Sequence, residues 1–94
     1  MTLKDVEDVL IESIEEIVEL CGYETESVID GDTVPFSSIG GFDSLNAVEV
    51  SLLVGDKFEK EVNLQTFGVS CSKKHPEKLS IKEIANNIFE NIKG

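Results

Sequence analysis

Leu3, Val6, Leu10, Ile14, Ile17 and Cys21 recur at intervals of three and four. That interval puts all six on one side of a helix with ~3.6 residues per turn. Glu7, Asp8, Glu12, Glu15, Glu16 and Glu19 occupy the rest of its circumference. The spacing predicts an amphipathic helix over residues 3–21. Thr2 is suited to cap its start, with Asp5 as the reciprocal partner of a capping box. Gly22 is suited to end it, because glycine tolerates the left-handed conformation of a helix stop. On this face Cys21 reads as a small core residue.

Residues 22–43 are rich in turn formers, including Gly31, Pro35, Gly40 and Gly41, and read as a long loop. Val28, Val34, Phe36 and Ile39 within it are apolar and are expected to anchor it on the core. Loops of this length in small domains are usually functional or disordered, and the apolar anchors favour function. A second helix is expected from Asp43 or Ser44, both good caps, to about Glu59. It carries two apolar stripes: Val50, Val54 and Phe58, and Leu45, Val48 and Leu52. Either the second stripe is left for a partner or the helix is buried nearly all round; spacing leaves both open. Gly55 inside it should cost about 1 kcal/mol relative to alanine. Val62, Leu64 and Phe67 can anchor a short helical turn, and residues 68–78 read as an exposed loop with three lysines. Ser80 and Glu83 form a capping box for a last helix, in which Ile81, Ile84, Ala85, Ile88 and Ile92 repeat at helical spacing. The expected class is all-α: three long helices, one short one and no strand, in a single domain spanning residues 1–94.

Composition narrows the picture. At 94 residues with 40% hydrophobic and 6% aromatic content and no tryptophan, the chain can form one modest aliphatic core. Nineteen acidic residues against eight basic ones leave a net charge of −11. Such a surface repels nucleic acid and anionic membranes and suits partners with basic patches, although it also serves solubility alone. No apolar run reaches the roughly 18 residues of a membrane span. Met1-Thr2-Leu3-Lys4-Asp5 lacks the basic-then-apolar order of a signal peptide. A soluble, cytoplasmic protein is expected, with Cys21 and Cys71 reduced. Cys71 and His75, the sole histidine, are four apart, but two ligands cannot close a zinc shell, so no metal site is expected.

One histidine, no nucleophile–base–acid set and no glycine-rich phosphate loop argue against catalysis by this chain. What stands out is Gly40-Gly41-Phe42-Asp43-Ser44-Leu45, a glycine pair leading into the start of a helix. A phosphate on the Ser44 oxygen would meet unpaired backbone N–H groups and the positive end of the helix dipole. The plainer alternative is that Asp-Ser is only a helix cap.

The chain resembles the acyl carrier protein family. The resemblance lies in Ile39-Gly40-Gly41-Phe42-Asp43-Ser44-Leu45, then Val48-Glu49, Phe58 and Val62, and Leu79-Ser80-Ile81-Lys82-Glu83-Ile84-Ala85. It implies a small up-down bundle of three long helices and one short one. It implies a non-enzyme whose 4′-phosphopantetheine arm is attached at Ser44, flanked by Asp43 and Leu45, by a phosphopantetheinyl transferase using coenzyme A and Mg²⁺. The arm's thiol would hold acyl groups as thioesters for fatty acid, specialised lipid, glycolipid or polyketide synthesis. Acyl-loading, elongating and acyltransferase enzymes with basic patches would dock on Leu45, Val48, Glu49 and Leu52. An acyl chain would shelter among Val50, Val54, Phe58 and Ile84, in a monomeric carrier. An aminoacyl or peptidyl carrier uses the same arm, and a helical interaction module with Ser44 as a mere cap is the rival from another class. Asn46, Gly55 and Lys57 stand where the family often has acids, and the first helix and the 62–79 stretch look long. These departures suggest a specialised, stand-alone carrier.

Overall fold

A computed structural model describes residues 2–25, 28–69 and 78–93. Helix α1 spans Leu3–Cys21, a one-turn helix α2 spans Pro35–Ser38, α3 spans Ser44–Phe58, and α4 spans Ile81–Lys93; a 3-10 turn, Leu64–Phe67, lies between the last two. The expected all-α bundle, three long helices with short additions, is what the chain forms. The described residues include no β-sheet, only an isolated bridge between Thr25 and Ile39.

Local chemistry sets the helix ends. The Thr2 hydroxyl accepts from the Asp5 N–H at 3.2 Å, and the Asp5 carboxylate accepts from the Thr2 N–H at 2.8 Å. Gly22 then ends α1 with φ 70°, as its sequence position suggested. The same reciprocal pair, Ser80 with Glu83, opens α4. The long loop after α1 completes that cap: the Ile81 N–H donates to Thr33 O and the Lys82 N–H to Gly31 O. Two otherwise unpaired donors of the first turn are thereby satisfied.

Helix α1 packs against both α3 and α4, and the 3-10 turn packs against α3 and α4. Val6, Leu10, Ile14 and Ile17 of α1 meet Val50 and Val54 of α3 and Ile81, Ile84 and Ile88 of α4 in one continuous core. Phe67 of the 3-10 turn is fully buried there. Two side-chain amides tie the α3–α4 connection down: Asn87 Nδ2 donates to Thr66 O and Asn91 Nδ2 to Glu61 O, each at 3.2 Å.

Several sequence expectations need correction. Cys21 is exposed, because α1 reaches its last turn beyond the core. Val28 is 81% exposed, whereas Pro35, Ile39 and Phe42 carry the loop's burial. The turn α2 was not anticipated. Pro35 at its first position supplies a preset φ, and the Phe36 ring meets Phe42 edge-on at 5.3 Å. Cys71, His75, Lys73 and Lys74 lie outside the described residues.

Candidate functional site

Asp43, rather than Ser44, is the cap of α3. Its Oδ1 accepts from the Leu45 N–H at 3.0 Å and the Asn46 N–H at 3.2 Å. Ser44 is therefore the first helical residue. It is exposed, and among the described residues its hydroxyl has no hydrogen-bond partner. Ser13 and Ser51, by contrast, are buried, and the Ser80 hydroxyl is engaged in its cap.

The two stripes of α3 separate cleanly. Val50 and Val54 have no exposure, and Phe58 packs partly buried beside the core. Leu45 is 73% and Leu52 68% exposed, Val48 is half-buried between them, and Glu49 is exposed. The helix is therefore not buried all round, and the residues expected to dock partners share a free surface leading away from Ser44. Val50, Val54 and Ile84, expected to shelter an acyl chain, are fully buried side chains of the core.

Asn46 changes the reading of the site. It is only 3% exposed, so it is not an acid missing from a docking face. Its Oδ1 accepts from the Asp43 N–H and from the Tyr23 hydroxyl, both at 3.0 Å. Its Nδ2 donates to Glu49 Oε1 at 3.2 Å and lies 4.0 Å from Cys21 Sγ. The pKa of the Tyr23 hydroxyl lies above the ordinary 10.0, pushed up by the Cys21 thiol, by burial and by the charges of Cys21 and Asp43. Sequence reasoning overlooked Tyr23; no short-range signal marks a partner 23 residues away.

Gly55 is likewise explained by packing. A Cβ built there would lie 2.6 Å from the Lys60 carbonyl oxygen. Lys57 lines a groove with Glu12, Glu15, Glu16 and Glu19 of α1 and Leu53 and Asp56 of α3. Of the three departures on this helix, only Lys57 bears on surface charge.

Among the described residues, no group of three or more His, Cys, Asp or Glu side chains is placed to hold a metal ion, and no helix is long and apolar enough to cross a membrane. The fit of a phosphodiester to Ser44 rests on two observations. The hydroxyl is uncovered, and it lies in the first turn of a 15-residue helix, where the dipole favours negative charge. The neighbouring Asp43 carboxylate opposes part of that attraction.

No curated protein and no solved structure matches the chain. The family model for the phosphopantetheine attachment site matches residues 12–72, which include the second half of α1, the long loop, all of α3 and the 3-10 turn. That match covers well over half of the 94 residues, and the chain belongs to the phosphopantetheine attachment site family, whose members are non-catalytic carriers of a covalently bound 4′-phosphopantetheine.

Proposed function

We propose that Ser44 is the attachment residue and that the arm's thiol carries acyl groups as thioesters, for the synthesis of fatty acids, other lipids, glycolipids or polyketides. The observation that carries this reading is the exposed Ser44 hydroxyl in the first turn of α3, without a hydrogen-bond partner among the described residues. In the attachment step Ser44 Oγ forms a bond to the phosphorus bearing the pantetheine arm of coenzyme A. The bond from that phosphorus to the adenosine bisphosphate breaks, and the hydroxyl proton is released. The transferase supplies the catalysis and the Mg²⁺; this chain supplies the nucleophile and holds it in place.

Leu45, Val48, Glu49 and Leu52 serve as the face for the transferase and for acyl-loading, elongating and acyltransferase enzymes. Apolar contact on Leu45 and Leu52 supplies affinity, and the net charge of −11 attracts basic partners. An acyl chain sheltered among Val50, Val54, Phe58 and Ile84 requires those side chains to part, since three of the four have no exposure. The carrier acts as a cytoplasmic monomer in this reading. Incubation with a phosphopantetheinyl transferase, coenzyme A and Mg²⁺ should add one arm per chain, and the loaded chain should accept an acyl group from an acyl-loading enzyme. No adduct, or loading by an aminoacyl-activating enzyme in place of the acyl one, contradicts it.

A further inference from the structure

We propose that Tyr23 and Asn46 are positioning residues for arm attachment, forming a clamp that holds the Gly41–Asn46 segment, and with it Ser44, in the geometry the transferase requires. The proposal rests on Ser44 being the attachment residue.

The clamp has three parts. Tyr23 is anchored on α1, since its N–H donates to Val18 O at 3.0 Å just past the Gly22 stop. Its ring packs against Gly41: a Cβ at Gly41 would meet Cε1, Cδ1 and Cζ at 2.8–3.3 Å. Gly41 also has φ 93°, so side chain and conformation both require glycine there. The Tyr23 hydroxyl then reaches past the glycine to Asn46 Oδ1. Asn46 spends that same oxygen on the Asp43 N–H, so one buried atom joins α1, the cap of α3 and its first turn. Ser44 lies between the two clamped points, Gly41 and Asn46, and its own side chain makes no hydrogen bond among the described residues. Upstream, the Gly40 N–H donates to Glu24 O at 3.0 Å, so the strap is held along its length.

Attachment is a bimolecular reaction of a hydroxyl that must approach phosphorus in line with the leaving group, and such reactions depend steeply on orientation. Of the docking residues, Leu45 lies within the clamped segment and Glu49 accepts from Asn46 Nδ2, whereas the Tyr23 hydroxyl bonds none of them. Loosening the clamp at Tyr23 therefore lowers turnover at bound carrier rather than weakening docking.

The test measures transferase kinetics with carrier as the varied substrate, together with amide hydrogen exchange of the unloaded chain. Tyr23→Phe keeps the ring on Gly41 and loses one hydrogen bond. It should lower kcat about threefold to tenfold with KM unchanged, and speed exchange at Asp43 and Asn46 by a similar factor. Asn46→Ala should lower kcat further, and Asn46→Asp, which retains the acceptor for Tyr23 and Asp43 but sets a carboxylate against Glu49, should recover only part of it. The double variant Tyr23→Phe with Asn46→Ala should be no slower than Asn46→Ala alone, as expected of two partners in one bond. Leu52→Ala, on the docking face, should instead raise KM and leave kcat and exchange unchanged. Wild-type kcat and exchange in both Tyr23→Phe and Asn46→Ala overturn the clamp, as does a change in KM alone. A wild-type chain that gains no adduct overturns the Ser44 reading and the clamp together.

Discussion

Gly55→Ala replaces a helix-weakening residue with the best helix former, and on helix propensity alone it should stabilise α3 by about 1 kcal/mol. The packing reverses that expectation. The new Cβ would stand 2.6 Å from the Lys60 carbonyl oxygen, where ordinary contact begins at 3.4 Å, so about 0.8 Å must be found. The obstacle is backbone and cannot swing aside like a side-chain tip. Moving it also disturbs the bond from the Lys60 N–H to Gly55 O at 3.0 Å, which turns the chain after Glu59 adopts φ 53°. Forced overpacking costs about 1–3 kcal/mol and a strained hydrogen bond about 1 more. Set against the propensity gain, the net loss is about 1–3 kcal/mol. Urea unfolding followed by far-ultraviolet circular dichroism measures it. With a slope of about 1 kcal/mol per molar, the midpoint should fall by about 1 M or more at unchanged slope. An unchanged or raised midpoint would refute the argument and restore Gly55 to the status of a surface departure.

Two further outcomes follow from the same structure. Glu49→Gln removes a charge beside Leu45 and Leu52 while keeping the acceptor for Asn46. It should slow arm loading more than Glu12→Gln on α1, and the difference should shrink as salt screens charges beyond about 8–10 Å; equal effects would show that only total charge matters. Tyr23 is the sole tyrosine and tryptophan is absent, so absorbance near 295 nm titrates one group. Its midpoint should lie above 10.0 and fall in Cys21→Ala, because the thiol raises it. Since the folded value is raised, the stability Tyr23 contributes is fully present below pH 10.0 and is lost as pH rises through the folded midpoint. A midpoint at or below 10.0 would contradict that sign.

The helices were legible in the chain because their information is local. The three-and-four spacing of Leu3 to Ile17, the Thr2–Asp5 and Ser80–Glu83 boxes and the stop at Gly22 all act within one turn or along one face. The split of α3 into buried Val50 and Val54 and exposed Leu45 and Leu52 was legible only as a possibility, since which stripe faces the core depends on where α1 lies. What stayed hidden depends on distant partners. Asn46 looks like a missing surface acid until Tyr23, 23 residues earlier, is seen donating to it. Gly55 looks like a weak point until the returning backbone at Lys60 is placed over it. Cys21 continues the spacing of a buried face, but the core ends before the helix does. Ser44 was legible as a candidate through the residues around it, and its demotion from cap to first helical residue leaves the hydroxyl freer than a capping role would.

The central claim is that the arm is carried on Ser44. Intact mass of the wild type, Ser44→Ala and the Cys21→Ser/Cys71→Ser double variant, after incubation with a phosphopantetheinyl transferase, coenzyme A and Mg²⁺, tests it directly. Wild type and the cysteine variant should each gain a single phosphopantetheine adduct, and Ser44→Ala should gain none while keeping its helical circular dichroism. A folded Ser44→Ala chain that still gains the full adduct would contradict the account.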